Sequence, residues 1–160
     1  MNIRTATKND KEAILNLVKK LAGYERKQPD EVQLTLNKIE SHGFSANPYF
    51  QILIVENNNI PVGYALYFFS YSASAGAPIL YLEDLFIESE HRHKGLGKAV
   101  LSKLAKLSIE NKCCRMEWHA FTWNEKAIQF YKNLGAVPKS DLVQFRLSGE
   151  VLNKLSTCDY

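Results

Sequence analysis

Apolar positions along this chain recur at two spacings, and the switches between them mark out the elements. Ile14, Leu17, Val18 and Leu21 fall three and four apart, the spacing of one helix face. Ahead of them, Thr7-Lys8-Asn9-Asp10 sets a hydroxyl and a carboxylate three apart, the layout of a capping box. This predicts a helix that ends at Gly23 and leaves Tyr24 and Glu25 just beyond it. Residues 3–6 read as a short first strand and 35–41 as a second, weaker helix. Residues 50–56 are β-branched and apolar, and Asn57-Asn58-Asn59 is a turn signal. Residues 60–71 continue with aromatics at 64, 67, 68, 69 and 71, so the two runs form a hairpin whose aromatics pack the core and sheet face. A small-residue loop over 72–78 leads to a third run at 79–87.

Past residue 87 the chain turns polar and then helical. Gly95-Leu96-Gly97 precedes an amphipathic helix over 98–111, with Val100, Leu101, Leu104 and Leu107 facing inward. Residues 115–122 return to a strand, and 124–134 form a helix capped by Asn124 and closed by Gly135. A short last strand over 144–147 and a terminal helix complete the pattern. Hairpins followed by strand, turn, helix, strand and helix predict an α/β fold. Its central sheet is mixed and mostly antiparallel, with helices on both faces, in one domain over 1–160.

Composition narrows the classes. A 46% hydrophobic and 23% charged chain is an ordinary globular one. No apolar run reaches the roughly 18 residues a membrane span needs, and the N-terminus lacks a secretory layout, so the expectation is a cytoplasmic protein with no membrane partner. The net charge of +3 is scattered rather than gathered in a stripe, which argues against a nucleic-acid partner. Cys113, Cys114 and Cys158 show no zinc spacing and read as free thiols, and the neighbouring positions of the His91-Arg92-His93 run do not converge on an ion. No metal is expected.

The turn Arg92-His93-Lys94-Gly95-Leu96-Gly97 lies between a strand and a helix. Helix-start amides have no internal partners, the helix dipole adds positive charge there, and glycine lets an anion approach. A pyrophosphate fits such a place, although a tight turn that binds nothing has the same glycines. Walker A spacing fails at Arg92 and Ala99, and the dinucleotide fingerprint fails at Val100.

Arg-x-x-Gly-x-Gly between strand and helix, followed by a strand, Asn124-Glu125 and Phe130-Tyr131, resembles the GNAT superfamily of N-acetyltransferases. That loop often reads Arg-Gly-x-Gly-x-Gly, and His93 stands where its first Gly would be. Within the superfamily the chain resembles the diamine acetyltransferases, the spermidine/spermine group and its thialysine-acetylating relatives. The resemblance rests on Leu21-Ala22-Gly23-Tyr24-Glu25, Tyr81-Leu82-Glu83-Asp84-Leu85-Phe86, Trp123-Asn124-Glu125 and Phe130-Tyr131-Lys132.

It implies acetyl-CoA as co-substrate, a small-molecule amine as acceptor and a homodimer. It also implies that the backbone of Leu85, Phe86 and Ile87 pairs with the pantetheine arm. His93, Lys94, Gly95, Leu96, Gly97 and Lys98 would wrap the pyrophosphate behind Arg92, and Asn124, Glu125, Lys126 and Ala127 would touch the cofactor from the next helix. Tyr131 would be the general acid, and Tyr24, Glu25, Glu83 and Asp84 would face the amine. One motif departs: the group's Glu-Glu-Gly-Trp stretch is Leu142-Val143-Gln144-Phe145 here, so a carboxylate near the amine tail is missing.

The chemistry suits these residue types. An alkylamine with a pKa of about 10.4 must shed a proton before attack, at a cost of ~4.6 kcal/mol at pH 7. Glu83 can attract the cation and assist that loss, and a tyrosine such as Tyr131 can protonate the departing thiolate. Taken singly, Tyr131 also reads as a half-buried helix tyrosine and Glu83-Asp84 as an ordinary ion-pair site. Acetylation of another amine (an amino acid, an aminoglycoside, a protein N-terminus) and a non-catalytic acyl-CoA-binding module remain as alternatives.

Overall fold

The β-branched and aromatic runs after residue 50 become the middle of a single sheet. A computed structural model describes residues 1–158. Strands β1 (Asn2–Thr5), β2 (Gln51–Asn57), β3 (Ile60–Ser72), β4 (Ala77–Ile87) and β5 (Arg115–Trp118) form a five-stranded sheet in the order β1-β2-β3-β4-β5. Neighbours are antiparallel except β4 and β5, which run parallel. Asn58 and Asn59 take left-handed φ values of 50° and 63°, giving the two-residue turn whose twist suits the β2–β3 hairpin. The helices are α1 (Lys11–Tyr24), α2 (Leu36–Gly43), α3 (Leu96–Glu110), α4 (Glu125–Asn133) and α5 (Gly149–Ser156).

The chain divides into two compact units, Met1–His119 and the residues from Ala120 onward. In the first, Ile14, Leu17 and Leu21 of α1 and Ile39 of α2 pack with Ile52, Ile54, Tyr64 and Phe86 on one face of the sheet. Alternation sends Leu53 and Val55 to the opposite face, where α3 buries Val100 and Leu104. The second unit holds α4 and α5. There Gly135, at φ 90°, closes α4 with a Schellman pair, as Gly135 N–H and Ala136 N–H donate to the carbonyls of Lys132 (2.9 Å) and Tyr131 (3.1 Å).

Three expectations are corrected. Helix α1 does not stop at Gly23 but includes Tyr24, and the left-handed residue that follows is Arg26 at φ 63°. The strand expected over 115–122 ends at Trp118. Residues 144–147 form no strand, and Val143 and Phe145 are exposed at 75% and 90%. A strand is stabilised by its ladder, and the regular elements of that unit are helices, which offer no edge to pair with.

One buried cluster joins β1, β2 and the start of α1. Arg4 forks onto both oxygens of Asp10 (2.8 and 2.7 Å), and its Nε donates to Glu56 Oε1 at 2.8 Å. Asp10 also accepts from the Thr7 amide (2.7 Å) and hydroxyl (3.0 Å), completing the box anticipated from the sequence. The hydrogen bonds from Arg4 hold the Asp10 carboxyl at about 2, against its burial. A depressed carboxylate contributes stability above its unfolded value and loses it as pH falls through the folded one. Asp10→Asn should therefore cost about 1–2 kcal/mol at pH 7, and the gap to the parent should narrow between about pH 4 and pH 2 in urea titrations.

Candidate active site

Parallel pairing between β4 and β5 is short. It runs from Ile79 opposite Arg115 to Leu82 opposite Trp118, whereas β4 continues beside β3 as far as Ile87. Residues 83–87 therefore have no strand partner on their β5 side among the described residues, and that backbone edge is free to pair with an extended ligand. On the other side β3 comes close: a Cβ on Gly63 would meet the Phe86 carbonyl oxygen at 2.6 Å, so only glycine fits there.

The register shifts where the strands begin to part. Leu66 pairs with Asp84 and Tyr67 with Leu82, which leaves Glu83 as the extra residue of a bulge. Bulges re-aim side chains. Glu83 is exposed, while Asp84 is half-buried and accepts 2.9 Å from the Tyr64 hydroxyl. Burial raises the Asp84 carboxyl; the Tyr64 bond opposes this, and Glu83 and Glu25 add to it. Burial first, and then Asp84, likewise raises the Tyr64 phenol well above its usual value. Glu25 pairs with Lys27 at 2.6 Å. Glu25 and Glu83 thus act electrostatically on Asp84, a gathering of negative charge suited to an ammonium.

Arg92 pins the surrounding backbone. Its Nε donates 2.7 Å to the Ile87 carbonyl, and its guanidinium lies 4.8 Å from the Tyr24 ring centroid and 5.6 Å from that of Phe86. The end of α1, the end of β4 and the following loop are joined by this one side chain. The loop then turns through left-handed His93 (φ 61°) and Gly95 (φ 78°) into α3. No side chain caps α3, and its first helical bond is Ala99 N–H to the Gly95 carbonyl at 3.0 Å. The amides of Leu96, Gly97 and Lys98 point out of the first turn. Nearby, the buried Nδ1 of His91 has no hydrogen-bond partner among the described residues.

The open β4 edge and the uncapped, basic loop suit an extended arm ending in phosphates. Comparison with known proteins gives the family. The model of the "Acetyltransferase (GNAT) family" matches residues 12–136.

This chain belongs to the GNAT acetyltransferases.

The thialysine N-epsilon-acetyltransferase of Sus scrofa is 34% identical to it, over 96% of this chain and 96% of that one. The spermidine/spermine N(1)-acetyltransferase-like protein 1 of Homo sapiens is also 34% identical, over 86% of this chain and 21% of that much longer protein. Among solved structures, an integron cassette protein from V. cholerae superposes with a TM-score of 0.82 at 24% identity, covering 98% of each chain. The GNAT sheet, mostly antiparallel with helices on both faces, is the one expected from the sequence. The chain is an N-acetyltransferase.

Most sequence-predicted residues fall together in the first unit of this GNAT chain: Tyr24, Glu25, Glu83, Asp84, Leu85, Phe86, Ile87 and the loop from Arg92 to Lys98. Tyr24 and Ile87 are partly engaged there, the ring by Arg92 and the carbonyl by its Nε. Asn124, Glu125, Lys126, Ala127 and Tyr131 lie in the second unit. Asn124 caps α4 by accepting from Ala127 N–H at 3.3 Å, and burial raises the Tyr131 hydroxyl.

Sequence reasoning read Tyr64 and His119 as packing residues, Tyr81 only as part of a motif, and gave Lys27 no role, because their partners are set by strand register and by the turn after α1. No group of three or more His, Cys, Asp or Glu among the described residues is placed to hold a metal. Nor is any helix of those residues long and apolar enough to cross a membrane.

His93 fills a left-handed position with a non-glycine residue, which stores strain beside the loop. His93→Gly should stabilise the fold by about 0.5–1 kcal/mol, a rise in Tm of roughly 1–4 °C by differential scanning calorimetry.

Proposed function

We propose that this chain transfers the acetyl group of acetyl-CoA to a primary amine of a small diamine, polyamine or lysine-like molecule by direct attack. The observation that carries this reading is the free β4 edge, which leads from the uncapped basic turn at Arg92–Gly97 up to the carboxylates of Glu83 and Asp84. The names of the pig and human relatives, a thialysine and a spermidine/spermine-like acetyltransferase, point to the same amine class.

Residues 85–87 would hold the pantetheine arm along the β4 edge. His93, Lys94, Gly95, Leu96, Gly97 and Lys98 would receive the pyrophosphate, and Asn124, Glu125, Lys126 and Ala127 would add contacts from α4. Bound acetyl-CoA supplies an activated acyl carbon on a thioester. Glu83, aimed outward by the bulge, attracts the ammonium and assists its deprotonation, while Tyr24, Glu25 and Asp84 shape the rest of the pocket. As the C–N bond forms and the C–S bond breaks, the departing sulfur needs a proton, and Tyr131 would give it; its hydroxyl, raised by burial, stays protonated until then.

The chain works as one domain over 1–160 in this reading, without a metal, in the cytoplasm and as a homodimer. A second acceptor class, another small amine, is favoured by Leu142-Val143-Gln144-Phe145, which carries no carboxylate where the polyamine group has two.

Thiol release should be seen when acetyl-CoA is mixed with putrescine, cadaverine, lysine or thialysine, and more weakly with spermidine. No release with any amine, or no thermal upshift with millimolar coenzyme A, would remove the reading. Tyr131→Phe should bind coenzyme A almost normally by calorimetry yet turn over at least roughly tenfold more slowly. Glu83→Gln should raise the KM for the amine and move the acid limb of the pH profile; unchanged values for both would rule Glu83 out of that role.

A further inference from the structure

Tyr81 and His119 meet where β4 and β5 separate. Tyr81 lies opposite Glu117, one position before the last paired residues, Leu82 and Trp118, and His119 is the first residue past β5. The Tyr81 hydroxyl and His119 Nδ1 are 2.8 Å apart, and their rings sit 6.2 Å apart at a 40° tilt. Phe68, paired with Tyr81 across β3 and β4, stacks on the tyrosine ring at 5.1 Å and 29°, fixing its direction. Phe68 alternates with Leu66 and Tyr64, so this pair shares the sheet face on which Tyr64 meets Asp84.

We propose that Tyr81 and His119 form the exit path for the amine proton, with the Tyr81 oxygen receiving it and His119 Nδ1 carrying it away. The inference rests on the amine-acetylation reading above and identifies the residues that free the nucleophile's lone pair.

Burial first, and then Glu83 and Glu117, keep the Tyr81 hydroxyl above its ordinary value; the exit path uses the tautomer in which that hydroxyl donates to Nδ1. His119 then carries its own proton on Nε2. When an ammonium gives a proton to the Tyr81 oxygen, Tyr81 passes its hydroxyl proton to Nδ1. The products are a neutral amine, an unchanged phenol and an imidazolium. The amine lone pair is then free to attack the thioester carbon, and His119 returns its proton to water from its exposed ring.

The charged groups facing the pair are Glu83 from β4 and Glu117 from β5, the latter bonded to Arg115 at 2.6 Å, while β3 contributes the neutral Phe68. Both carboxylates stabilise the ammonium before transfer and the imidazolium after it. An imidazole can take a proton at Nδ1 and release one from Nε2, which an amide or hydroxyl acceptor at the end of the ladder could not do.

The test compares parent, His119→Asn and Tyr81→Phe in a thiol-release assay with acetyl-CoA and cadaverine across roughly pH 6 to 10. Asparagine keeps an acceptor for the Tyr81 hydroxyl but does not titrate. His119→Asn should lose at least roughly tenfold in kcat near pH 7, recover toward high pH and keep its KM for acetyl-CoA. Tyr81→Phe should show the same upward shift of the acid limb. Variant profiles that superpose on an active parent overturn the exit path alone. A parent inert toward every amine overturns the acetylation reading and this inference with it. An unaltered thermal melt and acetyl-CoA KM exclude misfolding as the cause of any loss.

Discussion

The site depends on one constraint: β4 is paired on both sides as far as Leu82 and on one side only beyond it. Backbone groups on a strand edge have to find a partner, whether water, ligand or another strand. Here the unpaired stretch runs from the exposed Glu83 to the buried Ile87, with β3 held tightly against its other side through Gly63. The fold therefore presents a rigid row of donors and acceptors without spending a loop on it. Rigidity matters because a flexible edge would lose much of its binding energy to ordering.

Two other features gather around the same break. The extra residue in β4, Glu83, turns one carboxylate outward while Asp84 stays on the α1 face against Tyr64. One strand thus carries an exposed acid and a half-buried acid side by side, and burial raises the second, Asp84. At the far end of the open edge, Arg92 bridges the Ile87 carbonyl and the Tyr24 ring, tying the loop before α3 to the strand and to α1. That loop reaches α3 through two left-handed residues, one of them His93, and accepts local strain to leave the first helical amides uncapped.

The ion cluster of Arg4, Asp10 and Glu56 lies on the opposite edge strand and serves a different end. It fixes the start of α1 relative to β1 and β2, and so fixes where Tyr24 and Glu25 emerge at the other end of the same helix. A substitution there would reach the site through the helix rather than through any contact with it.

Elements whose signals are local were legible in the sequence. The Thr7–Asp10 cap, the Asn58-Asn59 turn, the Asn124 cap and the Gly135 closure each depend on residues within a few positions, and each appears in the structure. The basic glycine turn before α3 and the acidic pair in β4 were equally visible as motifs, the first by its basic residues beside the glycines and the second because carboxylates are unusual in an apolar strand. Other features needed long-range register. The bulge at Glu83, the Tyr64–Asp84 bond and the meeting of Tyr81 with His119, 38 residues on, follow from how β3, β4 and β5 align. Alternation along a strand states which residues share a face, but not where the ladder slips or stops, since both are decided by packing against the neighbouring strands. The expected strand at 144–147 failed for the same reason: its residues have the propensity, and propensity without a partner forms no ladder.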